Sequence, residues 1–308
     1  MSPPEVLAPA HAVFREKART FWWASLLLPR EVRDDAAIVY AFCRLVDDAA
    51  DEAADPVAAD LALQGLSNEL LGKAAARPLI AEFRAVAGRL DLPLESAAEL
   101  VRGVRGDLGP VRVRTDAELV RYCYRVASTV GLMMCAVLGV RRREALPHAV
   151  DLGIAMQLTN IARDVAEDAE RDRVYLPASR LRRAGVDPEA VARGAAPAAG
   201  VARVVKQLLE LADGYYRSAD GGMRDLPPRV RPAILVASRV YRAIGVRLAR
   251  RRYDALSGRT VVPWHEKLVW GARALAAAAR PEMRGATPRW AHDRSLHCPL
   301  RGLPGADS

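Results

Sequence analysis

This sequence predicts an all-α fold, a single helical bundle, and three observations carry that prediction. Apolar residues recur at three- and four-residue spacing through nearly the whole chain, the period of an amphipathic helix. Alternating strand patterns are almost absent, the short "PVRVRT" at 110–115 being the exception. No fixed-period repeat suggests a solenoid. With 308 residues, 51% of them apolar, the chain can bury a substantial core, and disorder through its bulk is not expected.

The elements follow in chain order. From Pro29 to Asp55 the residues Ile38, Val39, Phe42, Leu45, Val46 and Ala49 keep helical spacing, and Pro29 and Pro56 bracket the segment as start and stop signals. The same pattern predicts helices over about 57–75, 78–90, 94–105, 116–140, 146–170, 201–219 and 229–256. The run "VASTVGLMMCAVLGV" at 126–140 is too short to span a membrane and reads as a buried core helix. Gly, Pro and Ala crowd 182–200, which predicts a loop around one short helix, and the tail beyond Pro281 has no periodicity and is expected to be loose.

Composition narrows the function. The first twenty residues lack the apolar core of a signal peptide, and no stretch reaches the roughly 18 apolar residues of a membrane span, so a cytoplasmic location is expected. Cys43, Cys123, Cys135 and Cys298 have neither metal-ligand nor disulfide-framework spacing, and the first three sit in apolar helical runs, which predicts buried thiols. A net charge of +9 with no accompanying nucleic-acid motif argues against nucleic acid as a partner. The basic helix at 229–256 keeps apolar helical spacing, so it is read as resting on the anionic inner face of a membrane, as steering anionic substrates inward, or as a plain charged face. His292, His297 and Cys298, three isolated groups in the tail, are discounted as a metal site.

Two polar stripes carry the chemistry. Tyr40, Arg44, Asp47, Asp48 and Asp51 fall at i, i+4, i+7, i+8 and i+11, along one line of a helix. Gln157, Asn160, Asp164 and Asp168 fall at i, i+3, i+7 and i+11, a second line about 16 Å long. Asp47 with Asp51, and Asp164 with Asp168, are like-charge i,i+4 pairs that cost a few tenths of a kcal/mol each unless something positive lies between them. Asp51 also sits at the helix end that disfavours an anion. Apolar Leu152, Ile154, Met156, Leu158 and Ile161 surround the second stripe, so its polar residues are expected to face an interior cavity. Two carboxylate stripes facing each other suit Mg²⁺, which takes one or two protein carboxylates and lets substrate phosphates complete its shell. "DDAADEAAD" lacks the glycine of an EF-hand loop, and neither GxxxxGK[ST] nor GxGxxG occurs.

At these residues the chain resembles a known family. "ARTFWWASLLLP", "VYAFCRLVDDAADE", "YRVASTVGLMM", "AMQLTNIARDVAEDAERDRVYLP" and "ASRVYRAIGVRLARRRYDAL" together are similar to the squalene/phytoene synthases, bacterial phytoene synthases most of all, over about residues 14–270. The resemblance implies an isoprenoid-synthase-type bundle with a central cavity, spanning 14–280 between an N-terminal extension (1–13) and the tail. It implies head-to-head condensation of two prenyl diphosphates through a cyclopropylcarbinyl diphosphate. Mg²⁺, with Mn²⁺ as a substitute, would be held by Asp47, Asp48, Asp51, Asn160, Asp164 and Asp168, and no nicotinamide cofactor is expected. Tyr40 and Arg44 join the aspartates in catalysis. Arg44, Gln157, Asn160, Arg163, Tyr175 and Tyr241 would contact the diphosphate or line the cavity, while Thr20 and Phe21 match an N-terminal flap. Val130, Leu132, Met133, Met134 and Val137 are candidate walls. Thr20 replaces the family's usual serine, and "GVRGDL" at 103–108 departs from its GMxxDL at Val104. Three alternatives stay open: a synthase using fifteen-carbon donors, a terpene cyclase, whose N-x₃-S-x₃-E spacing Asn160, Asp164 and Asp168 also match, and a non-catalytic assembly protein with the same fold.

Overall fold

The computed structural model of the chain describes residues 3–278 and 292–306; in α2 the side chains of Arg19 and Thr20 also lie outside the described set. Helix follows helix: α1 (Pro4–Lys17), α2 (Arg19–Ser25), α3 (Arg30–Asp51), α4 (Pro56–Leu70), α5 (Pro78–Leu90) and α6 (Leu94–Arg105) make one half. The other half holds α7 (Asp116–Cys123), a π turn (Tyr124–Ser128), α8 (Thr129–Val137), α9 (Leu146–Arg163), α10 (Val165–Glu170), α11 (Ala178–Arg183), α12 (Pro188–Ala192), α13 (Ala198–Gly222), α14 (Arg231–Arg250) and α15 (Trp264–Ala278). β1 (Val111–Arg112) and β2 (Arg173–Val174) form a short parallel pair.

Local chemistry sets the ends. Pro29 immediately precedes α3, and the Asp55 carboxylate caps α4 by accepting from the amides of Val57 (2.9 Å) and Ala58 (2.8 Å). α3 buries Ile38, Val39, Phe42 and Val46 completely, and Phe42 stacks on Phe83 of α5 at 4.0 Å. Burial on this scale contributes about 1.5–3 kcal/mol per side chain. α9 lies at the centre, against α8, α13, α14 and the π turn. Gly153 allows that approach, because a Cβ there would lie 2.5 Å from Ser128 Cα. Ser128 seals the contact by donating to the Val150 carbonyl at 2.7 Å.

Several expectations are corrected. The helix expected over 116–140 turns through the π segment, and that over 146–170 breaks at Asp164 (φ −103°, ψ 16°). The segment before Phe14 begins α1, which buries Ala10 and Phe14 against α3. α15 escaped the sequence reading, as did β2, whose two residues are too few to show a period. α14 is a charged helix with most of its arginines in ion pairs, as the plain-face reading has it. It buries Leu235, Val240, Ala243, Ile244 and Leu248, and Arg239, Arg242 and Arg247 pair with Asp220, Asp213 and Glu266. The tail, expected loose from 281 on, is built as structured chain over 292–306, with Leu300 fully buried; the expectation for 281–291 and 307–308 falls outside the described residues. Cys43, Cys123 and Cys135 are buried free thiols, as expected.

Candidate active site

Between the two halves lies an apolar cavity of about 330 Å³. Val39 of α3, Val130 and Met134 of α8, Leu152 and Met156 of α9 and Ile234 of α14 are among its walls. Of the five candidate walls only Val130 and Met134 reach it; Leu132, Met133 and Val137 turn into the packed cores, because successive helical positions point about 100° apart. Phe21 and Tyr241 pack at 5.0 Å on the lining, and Tyr40 packs on Phe14 at 4.9 Å.

A second, polar chamber of about 230 Å³ adjoins it, lined by Asp47, Asp51, Asp107, Asn160, Asp164 and Asp168. Asp47, Gln157 and Asn160 line both spaces, so the acidic chamber opens onto the apolar one. The two stripes therefore do face each other, α3 supplying one and α9 with α10 the other. The break after Arg163 keeps Asp168 in the chamber, with its amide donating to the Asp164 carbonyl at 2.8 Å.

The positive charge that the like-charge pairs require comes from arginines. Arg44 bonds Asp48, which sits beside the chamber, and Arg171 and Arg173 lie 3.4 and 3.6 Å from Asp51. Asp164 accepts from Arg163 Nε at 2.6 Å and lies 3.3 Å from Arg259. The innermost carboxyls still titrate high. Burial, against the opposing charge of Arg44 and with the repulsion of Asp51 and Asp48, pushes Asp47 up to about 7. Burial and the charge of Asp164 push Asp168 to about 7, and burial raises Asp107 to about 6 although the hydroxyls of Tyr122 and Tyr175 hydrogen-bond it.

Asn160 Oδ1 is buried without a hydrogen-bond partner among the described residues, while its Nδ2 donates to Gln157 Oε1 at 3.2 Å. An orphaned hard oxygen among carboxylates fits a divalent cation. Among the described residues no three chamber carboxylates come within 4.8 Å of one another, so the set does not form an all-protein cage and leaves room for substrate oxygens in the shell.

The structure brings together Tyr40, Arg44, Asp47, Asp51, Gln157, Asn160, Asp164, Asp168, Tyr175 and Tyr241 on the linings, with Asp48 and Arg163 paired alongside. Phe21 lines the cavity; Thr20's side chain lies outside the described residues. Sequence reasoning missed Asp107, Tyr122, Arg171, Arg173 and Arg259. "GVRGDL" was the available signal for Asp107, whereas Tyr122 stands in an apolar helical run and stacks on Tyr175 at 4.7 Å, a contact no local spacing encodes.

The model of the squalene/phytoene synthase family matches residues 14–266. The chain is 38% identical to a phytoene synthase of Rhodobacter capsulatus over 285 residues, covering 90% of this chain and 84% of that one. It is 41% identical to a phytoene synthase of Thermus thermophilus over 278 residues, covering 89% and 94%. Among solved structures, a dehydrosqualene synthase with bound ligand superposes with a TM-score of 0.80 at 25% identity, covering 89% of this chain and 96% of that one. The squalene synthase HpnC of Alicyclobacillus acidocaldarius gives 0.70 at 26% identity, covering 82% and 97%.

Proposed function

The chain belongs to the squalene/phytoene synthase family, and from that premise we infer that it is a phytoene synthase. It joins two twenty-carbon prenyl diphosphates head to head, a prenyltransferase step of carotenoid biosynthesis. One observation carries the reading: the acidic chamber and the apolar cavity share Asp47, Gln157 and Asn160, so an anionic head and an oily tail find their solvents side by side.

Magnesium is the ion this reading assigns to the chamber, held by Asp47, Asp51, Asp164, Asp168 and Asn160 Oδ1, with Asp48 alongside; Mn²⁺ is its substitute. When bound, it withdraws charge from the leaving diphosphate. Arg44, Arg163, Arg171, Arg173 and Arg259, which pair with the aspartates, take the diphosphate oxygens, because a guanidinium fork matches them. Phe21, Tyr40 and Tyr241 close the cavity and keep water from the cations that ionisation produces. α1 to α15 act as one synthase domain, supported by the burial of α1 on α3.

No described helix is long and apolar enough to cross a membrane. Peripheral contact fits a different face from α14. α2 and α15 both pack on α14, and they expose Trp23 and Leu26, and Trp264, Leu268 and Val269.

The test is an assay with labelled donors. Purified protein with Mg²⁺ is expected to release diphosphate from the twenty-carbon donor and form phytoene, and chelation is expected to stop it. Absence of release from both fifteen- and twenty-carbon donors overturns the enzyme reading. Turnover of the shorter donor alone overturns the phytoene assignment and favours the chemistry named for the solved neighbours.

A further inference from the structure

Outside the chamber lining, the C-terminal segment builds a buried group of its own. Asp151 of α9 is fully buried, and Ser218 of α13 donates to its Oδ2 at 2.5 Å. His292 Nε2 lies 2.8 Å from the same oxygen, and His297 Nε2 lies 2.9 Å from Oδ1. One ligand atom from each of the three residues falls within 4.8 Å of the others, and among the described residues no second group of His, Cys, Asp or Glu does so.

Hydrogen bonding fixes what this group needs. His297 Nδ1 stands 2.9 Å from the Ala306 carbonyl, which only accepts, so Nδ1 carries the hydrogen. With Nδ1 so committed, a neutral ring would aim its Nε2 lone pair at a carboxylate oxygen, two acceptors facing each other away from solvent. Such a contact requires a cation. A proton on His297 satisfies this contact, and a neutral His292 can give its own Nε2 hydrogen to Oδ2; a divalent ion replaces both hydrogens and engages the carboxylate and the two Nε2 atoms at once. The surroundings match those of ligating histidines: one ring N–H goes to a backbone carbonyl, and the carboxylate is itself held by a hydroxyl.

We propose that Asp151, His292 and His297 form a second divalent-cation site, of the zinc class, that clamps the C-terminal segment onto α9 and α13. Two imidazoles and one carboxylate are a zinc donor set and a poor magnesium one. Zinc–ligand lengths of about 2.0–2.1 Å place neighbouring ligand atoms about 3.3 Å apart, so the groups open by about half an ångström around the ion. The rest of the segment already holds it in place: Tyr124 and Tyr215 hydroxyls donate to the Pro304 and Leu296 carbonyls at 2.6 and 3.0 Å. His148 lines the apolar cavity and packs edge-on to His292 at 5.3 Å, so the clamp stands directly behind the cavity wall.

The experiment loads the full chain, stripped by chelator, with Co²⁺ in excess Mg²⁺, and with Zn²⁺ for metal analysis after dialysis. Wild type is expected to show a visible cobalt band and to retain about one zinc per chain. H292Q and the H292Q/H297Q pair, whose amides keep hydrogen bonds to Asp151 and whose folding circular dichroism verifies, are expected to lose both signals. D164N, altered only in the acidic chamber, is expected to keep them. Equal cobalt spectra and zinc content in wild type and H292Q/H297Q overturn the proposal, as does loss of the band in D164N with its retention in H292Q/H297Q.

Discussion

Asp47→Asn tests how the chamber stores charge. Burial lifts Asp47 from the ordinary 3.8 to about 7, and at pH 8 that gap corresponds to about 4 kcal/mol of unfavourable charge burial. Asp47 keeps some solvent contact, so screening trims this to about 3 kcal/mol. The asparagine amide left in its place returns about 1 kcal/mol as an incompletely bonded polar group. The net is about 2 kcal/mol, and the melting temperature in EDTA is expected to rise by roughly 3 °C. The sign follows from proton linkage. Between the unfolded value near 4 and the folded value near 7, the native state keeps a proton that the unfolded chain has released, so the metal-free wild type loses stability as pH rises through that window. The gain from Asp47→Asn is therefore expected at pH 8 and nearly absent at pH 5. Calorimetry in EDTA at both values is the assay, with a second scan in Mg²⁺, which is expected to stabilise wild type and leave the variant nearly unmoved. No rise at pH 8, or the same rise at pH 5, refutes the reasoning.

Asp48→Asn and Asp164→Asn are each expected to cost at least about 100-fold in turnover while circular dichroism stays unchanged, since relief of like-charge repulsion does not unfold the bundle; normal turnover in both contradicts the assigned roles. Gly153→Ala forces a Cβ to 2.5 Å from Ser128 Cα, backbone against backbone, and is expected to destabilise by about 2–3 kcal/mol in denaturant titration. Phe42→Ala removes a fully buried ring stacked on Phe83 and is expected to cost about 3–5 kcal/mol by the same measurement. Trp264→Ala with Leu268→Ser is expected to reduce sedimentation with anionic vesicles while turnover of detergent-dispersed donor persists; unchanged sedimentation removes α15 from the membrane face.

What could be read in one dimension was what repeats locally. Helix periodicity located α3 to α9, α13 and α14 to within a few residues, and the i, i+4, i+7 stripes named the carboxylates of both ridges, because side chains on one helix face keep a sequence spacing. The family motifs lie on those same stripes. Where the stripes meet other elements, the reading failed: Asp107, Tyr122 and Arg173 come to the chamber from α6 to α7 and from β2, and their neighbours are distant in the chain. Arg171 and Arg259, which lie against Asp51 and Asp164, likewise carry no periodic signal.

The basic helix α14 shows the same division in reverse. Its arginines looked available in sequence, and in the fold they face Asp213, Asp220 and Glu266, carboxylates on α13 and α15. His292 and His297 looked isolated in a segment without pattern, and the return of that segment to Asp151 joins groups more than 140 residues apart. The sequence by itself determined the helical class, the two acidic ridges and the family, since each is a matter of residue spacing along one element. Only the tertiary structure decided that the ridges share a chamber opening onto an oily cavity, which charges are already neutralised and which histidines converge, because a charge or a lone pair acquires its partner by distance in space.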